Sequence, residues 1–174
     1  MAEGIFLPAI ERGVLLPEPE RLARLDAALP QIEAAIAGET DAVAIEATLA
    51  CLLWETLVHT NFCGFYRRVA PATLAVGPYQ GSMGCLRIEF SRGVCGKCAR
   101  TREVQLVDDV HAVPDHIACD SRSRSELVVP VVAQGELRAV LDLDSPHVAG
   151  FSRAEADRLV GLVARAFDRA DVVW

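Results

Sequence analysis

Three of the six cysteines in this chain of 174 residues, Cys85, Cys95 and Cys119, carry its strongest chemical signal. Cys119 lies in the run HIACDSRSRSELVVP (His116 to Pro130), with His116 before it and Asp120 after it, and a second acidic run, LDLDSP (Leu141 to Pro146), follows. Thiols close to clustered carboxylates point to redox chemistry on a small polar substrate rather than to a disulfide scaffold. The thiolate is the species that attacks. A free thiol with a pKa of about 8.5 is only a few per cent ionised at pH 7, so the charges beside Cys119 matter. GVCGKC (Gly93 to Cys98) reads as the start of a helix, where unpaired backbone amides favour thiolate character at Cys95.

Cys95-x-x-Cys98 is either a redox pair or half of a zinc site. Zinc would need two further ligands from Cys85, His111, His116 and Cys119, none of which forms a second close pair, so Cys98 reads as a bystander. Cys51, on the apolar face of a helix, and Cys63, in a strand, read as small buried hydrophobes. The carboxylates of interest are Glu126, Asp142 and Asp144. The last two flank Leu143 in a strand and so share one face, opposite Leu141 and Leu143. Spacing alone favours a solvent-facing strand face. The functional alternative is a pocket that binds an ammonium group or protonates a leaving oxygen.

Composition narrows the partners. The net charge of -7 and the 6% aromatic content argue against a phosphate backbone, so no nucleic acid is expected. Arg122 and Arg124 form a short basic run that reads as solvated. The N-terminus carries Glu3, has no basic n-region and is broken by Pro8, which argues against secretion. Glu46 and Glu55 interrupt the most apolar helix candidate, so no membrane span is expected and the reading is cytoplasmic. A chain 52% hydrophobic at this length fits one domain.

The elements that must position these residues follow from periodicity and punctuation. Pro17 and Pro19 separate an N-terminal arm (1–18) from the domain (19–174). Leu22, Leu25, Leu29, Ile32 and Ile36 recur at helical spacing up to Gly38, with Pro30 expected to kink or split that helix. Thr40 or Asp41 caps a second helix whose face is Ile45, Leu49, Leu52, Leu53 and Leu57. Phe62 to Val69 and Leu74 to Gly81 pair as strands around Pro71. Val104 to Val107, Leu127 to Val132 and Leu137 to Leu143 supply three more, the last two joined through Ala133, Gln134, Gly135 and Glu136. Ser152 with Glu155 makes a capping box for a closing helix that buries Leu159, Leu162, Val163 and Phe167. The expected architecture is α+β, with a mainly antiparallel sheet of about five strands, helices on one face, and a long insertion carrying the cysteines.

The strings GPYQGSMGCLRI, GVCG, DDVHAVPDHIACDSRSRSELVVP and LRAVLDLDSP followed by FSRAEADRL resemble the free methionine-(R)-sulfoxide reductases, a family built on a single GAF domain. The resemblance covers roughly Leu22 to Phe167. It implies a GAF fold whose N- and C-terminal helices pack on one face of the sheet, with a cysteine-bearing loop closed over free methionine sulfoxide. Cys119 matches the cysteine that attacks the sulfoxide sulfur and becomes a sulfenic acid. Cys85 matches the thiol that resolves it as a disulfide, which thioredoxin then reduces. Cys95 matches a third cysteine also proposed as the attacking thiol. Glu126, Asp142 and Asp144 match acids that bind the ammonium and polarise the sulfoxide oxygen, and Phe62 and Tyr66 match aromatic substrate contacts. No cofactor or metal is implied, and a homodimer is left open.

Phe62 stands where the family usually has tryptophan, which keeps the apolar wall and loses an indole donor. Val113 and Asp115 stand where phenylalanine and glycine are common, and Cys98 replaces a small residue. The rival from another class is a noncatalytic ligand- or redox-sensing GAF module whose cysteines only report redox state.

Overall fold

The computed structural model describes residues 6–113 and 119–174. Helix α1 (Glu18–Ala35) and helix α2 (Ala42–Thr56) precede two long strands, β1 (Phe62–Ala70) and β2 (Thr73–Gly81). A short strand β3 (Arg87–Glu89), helix α3 (Gly93–Thr101) and strand β4 (Gln105–Val107) follow, then a 3-10 turn at Val110–Ala112. Strands β5 (Ser125–Ala133) and β6 (Glu136–Ser145) and helix α4 (Arg153–Phe167) complete the α+β fold. The strands form one antiparallel sheet in the order β3-β2-β1-β6-β5-β4. Six strands thus replace the expected five. The extra one, β3, has three residues and buries only Ile88, too short for alternation to mark it.

Two hydrophobic layers sandwich the sheet. On one face Leu25 and Ile32 of α1, Ile45, Leu49 and Leu53 of α2, and Leu159, Leu162 and Phe167 of α4 pack against Cys63, Phe65, Leu127, Val129, Leu141 and Leu143. On the other, Val94, Cys95, Cys98 and Ala99 of α3 pack against Phe62, Tyr66, Val128 and Val140. The N- and C-terminal helices share a face as expected, but α3 covers the opposite one, so the helices are not all on one side.

Local signals explain the element ends. The Asp41 side chain accepts from the amides of Val43 and Ala44 and caps α2. Gln134 and Gly135 both have positive φ, 54° and 76°, the geometry of a two-residue primed turn between β5 and β6. Pro130 is tolerated inside β5 because β4 pairs only as far as Val128, leaving that side of the strand without a neighbour. Pro30 neither splits nor ends α1, which runs through it as one element with Leu25, Ala28 and Ile32 fully buried on either side. Cys51 is exposed, not buried. At about 100° per residue it lies some 200° from Leu49, on the face of α2 turned away from the sheet.

A single carboxylate ties the terminal helices together. Glu155 closes the capping box with Ser152 and also receives two hydrogen bonds from the buried Arg21 guanidinium, each 2.9 Å. The capping box itself is worth about 1 kcal/mol. Breaking a buried pair and leaving the cation alone costs about 3 to 5 kcal/mol. Glu155→Ala should therefore destabilise the chain several times more than Ser152→Ala in urea titration, and equal losses would show that Arg21 finds another partner.

Glu46 is fully buried between α2 and the sheet, with Arg67 Nε 3.4 Å away and no hydrogen-bond partner on either carboxylate oxygen. Burial raises its pKa to about 7, partly offset by Arg67. Because the folded pKa lies above the unfolded one, stability is full below about 4.5 and is lost as pH rises through 7. Glu46→Gln should flatten that decline, recovering on the order of 3 kcal/mol at pH 8 relative to pH 4. Melting curves across that range measure it, and an unchanged slope would refute the assignment.

Candidate active site

Register places three carboxyls on one face. Across β1, β6 and β5, Phe62 is paired with Asp144 and Asp144 with Glu126, so these residues form one row. In the next row on that face Gly64 is paired with Asp142 and Asp142 with Val128. A Cβ on Gly64 would come within 2.2 Å of the Tyr79 Cβ, so the glycine lets Tyr79 reach in and stack on Phe62 at 5.3 Å. Leu141 and Leu143 point into the opposite layer, as alternation requires.

Most of the acid face is shut off from solvent, with Asp144 half-buried. Glu126 is 6% and Asp142 5% exposed, because α3 and the segments carrying Cys85 and Cys119 lie over them. The solvent-facing reading of the strand is therefore overturned: spacing gives a shared face but not what covers it. Burial comes first among the causes that raise all three pKa values, and mutual repulsion adds to it at Glu126 and Asp144. Asp142 rises to about 7. Carboxyls held protonated near neutral pH can donate as well as accept.

The floor of acids, with Phe62, Tyr66, Cys95 and Cys119, lines a cavity of about 30 Å³. Cys119 is bonded to Cys85, with Cα atoms 5.3 Å apart and a sequence separation of 34. Ser82, Met83 and Gly84, which precede Cys85, form part of the wall. Gly84 passes so close over the aromatic pair that a Cβ there would meet the Tyr66 hydroxyl at 2.5 Å and the Phe62 ring at 3.0 Å. All the sequence-derived site residues meet here. His116 and Asp115 lie outside the described residues, while Val113 packs at the edge of the α3 layer.

The remaining cysteines separate by environment. Cys95, on the first turn of α3, is 4% exposed, and its Sγ lies 3.8 Å from Glu126 Oε1. Burial, then the charges of Asp142 and Glu126, push its thiol pKa well up, which outweighs the helix N-terminus and makes it a poor nucleophile. Cys98 is fully buried with its Sγ facing the Val128 carbonyl, so the Cys95-Cys98 pair shares no metal-like set. Among the described residues the set that could hold an ion is instead Cys95, Glu126 and Asp142. Arg122 pairs with Asp120 at 2.8 Å and Arg124 with Asp109 at 3.1 Å, and both arginine side chains remain open to solvent, so the short basic run is solvated while paired with acids.

Asn61 was not singled out by its sequence, yet it links three site segments. Its amide nitrogen donates to Asp120 Oδ2 at 3.0 Å and to Ser123 Oγ at 2.9 Å. Its carbonyl accepts from the Ser82 amide and hydroxyl, and its backbone N–H donates to the Asp144 carbonyl. No motif marks an asparagine just before a strand, so only the tertiary bonds reveal it. Asp120 is held below the usual carboxylate range, chiefly by Arg122.

Comparison with known proteins gives a consistent picture. Residues 33–167 match the GAF domain model. The chain is 42% identical over 132 residues to the free methionine-R-sulfoxide reductase of Escherichia coli strain K12, covering 76% of this chain and 79% of that protein. The X-ray structure of free methionine-R-sulfoxide reductase from Neisseria meningitidis in complex with its substrate is similar, with TM-score 0.80 and 39% identity over 93% of this chain and 94% of that one. A putative GAF sensor protein from Burkholderia vietnamiensis is similar at TM-score 0.78 and 39% identity, over 90% and 96% of the two chains. No helix among the described residues is long and apolar enough to cross a membrane.

The thiol environments give a direct test. With the Cys85–Cys119 bond intact, iodoacetamide should label Cys51 alone at an appreciable rate, because Cys63, Cys95 and Cys98 are buried. Peptide mapping after brief alkylation measures this, and early labelling of Cys95 would contradict its burial.

Proposed function

The chain belongs to the GAF domain family and lies close to its free methionine-R-sulfoxide reductases, and on that premise we propose that it reduces free L-methionine-(R)-sulfoxide to methionine. The observation that carries the reading is Cys119 bonded to Cys85 beside a cavity floored by Glu126, Asp142 and Asp144. In the reduced enzyme the Cys119 thiolate attacks the sulfoxide sulfur. The oxygen is protonated, one proton coming from a buried carboxyl, and leaves as water, so that the S–O bond breaks and methionine is held on Cys119 as a sulfonium. Water then attacks the Cys119 sulfur, the S–S bond breaks with its electron pair going to methionine, a proton is released, and Cys119 is left as a sulfenic acid. The Cys85 thiolate then attacks the Cys119 sulfur, expelling water and forming the disulfide. A dithiol reductant of the thioredoxin class exchanges with that bond, becomes oxidised itself and returns both thiols.

The electrostatics support a free amino acid as substrate. An ammonium group complements buried carboxyls that would otherwise stay protonated, and Phe62 and Tyr66 offer an apolar wall to the methyl end. Buried Cys95 fits a supporting place better than the attacking one. The sensor reading accounts for the same pocket and disulfide without turnover, and the likeness to a putative GAF sensor protein keeps it in view. Incubating each epimer of free methionine sulfoxide with dithiothreitol and counting methionine decides between them, with methionine expected from the R epimer alone. No methionine from either epimer would leave the sensor.

Two further outcomes follow from the assigned roles. Cys119→Ser should abolish the first turnover, whereas Cys85→Ser should keep a near-normal single turnover and lose recycling by thioredoxin. Rapid-quench measurement separates the steps, and a fast first turnover in Cys119→Ser would move the attack to Cys95. N-acetylated methionine sulfoxide should be reduced with kcat/KM lower by roughly 100-fold or more, because the buried acids lose their cationic partner. Equal efficiency for the two substrates would rule out the ammonium subsite.

A further inference from the structure

The proposed reaction uses Cys119 and Cys85 and leaves a third thiol, Cys95, buried against two carboxyls with no assigned chemistry. Cys95 Sγ and one carboxylate oxygen each from Glu126 and Asp142 all lie within 4.8 Å of one another. The three side chains come from α3, β5 and β6, so separate rigid elements hold them. Each is more than nine-tenths buried, and Asp142 Oδ1 has no hydrogen-bond partner. An unpartnered buried oxygen beside a thiol and a second carboxyl is an arrangement that a cation would complete.

We propose that Cys95, Glu126 and Asp142 form a site for a divalent cation of the zinc class in the oxidised chain, held where the ammonium group of the amino-acid ligand would sit. A thiolate donor selects a borderline-soft ion over calcium or magnesium, which prefer all-oxygen ligands. Zinc bonds of about 2.3 Å to sulfur and 2.0 to 2.2 Å to oxygen draw tetrahedral ligands to within about 3.5 Å of each other. Contraction from the present spacing by about 1 Å is within reach of side-chain rotation about χ angles. The ion displaces the thiol proton and any carboxyl protons to solvent, and the cavity side supplies its fourth position to water. The cavity of about 30 Å³ beside these side chains has room for an ion and its water ligand. Exclusion of substrate by the ion rests on the reductase reading; binding of the ion does not.

The test uses oxidised protein with the Cys85–Cys119 bond intact and cobalt(II) as the spectroscopic stand-in for zinc. One equivalent should give a thiolate-to-cobalt charge-transfer band, and added zinc should bleach it. The band should persist in Cys51→Ser, which removes the one exposed free thiol. It should vanish in Cys95→Ser, and the affinity should fall about tenfold or more in the isosteric variants Glu126→Gln and Asp142→Asn. A saturating equivalent of zinc should also raise the melting temperature of the wild type and of Cys51→Ser, but not of Cys95→Ser. No band in the wild type, a band lost in Cys51→Ser, or one that survives Cys95→Ser overturns the site. The wild type and Cys51→Ser decide the matter even where a buried variant fails to fold. No turnover is involved, so failure here leaves the reductase reading standing, and absence of reductase activity leaves the ion site standing.

Discussion

Everything at the site depends on the register of β6 between β1 and β5. Its alternation sends Leu141 and Leu143 into the layer beneath α1, α2 and α4 and sends Asp142 and Asp144 to the opposite face beneath α3. A slip of one residue would put two carboxyls into the main hydrophobic layer and two leucines into the cavity. The primed turn at Gln134 and Gly135, together with the register shift between Val131 and Val132, sets that register at one end, and the backbone bond from Asn61 to the Asp144 carbonyl holds it at the other. The main core and the acid cluster are thus two faces of one constraint.

The disulfide adds a second level of organisation. It joins the segment after β2 to the segment before β5, elements at different positions in the sheet. Asn61 spans the same gap with hydrogen bonds, to Ser82 on the Cys85 side and to Asp120 and Ser123 on the Cys119 side. The two thiol-bearing segments therefore share an anchor besides the bond between the sulfurs. Sulfenic acid capture needs the partner thiol close at hand before a competing oxidant arrives.

Much of this was legible in the residues. The periodicity of α4, the Ser152 and Glu155 box, the Gln134-Gly135 turn and the shared face of Asp142 and Asp144 are local patterns, and local patterns survive folding when tertiary contacts agree with them. What covers a face is not local. Glu46, which reads as an interruption of an apolar helix, is fully buried beside Arg67, and Asp142 lies under α3 rather than under water. Cys51 went the other way: its neighbours in sequence are apolar, but its angle around α2 turns it outward. Pro30 sits within a helix whose flanking residues are buried, where packing outweighs the local penalty. Asn61 could be found only from its partners, since every bond that gives it a place reaches across the sequence or to backbone.

The small cavity beneath the Cys85–Cys119 bond bears on the order of events. Cys119, whose sulfur the proposed attack requires, lines that cavity while bonded to Cys85. In this oxidised form Cys119 carries no free thiol, and reduction must restore one before another sulfoxide can be attacked. For the proposed reaction, the disulfide then works as a turnstile: each passage takes the attacking thiol out of use, and only the electrons delivered by the reductant release it for the next.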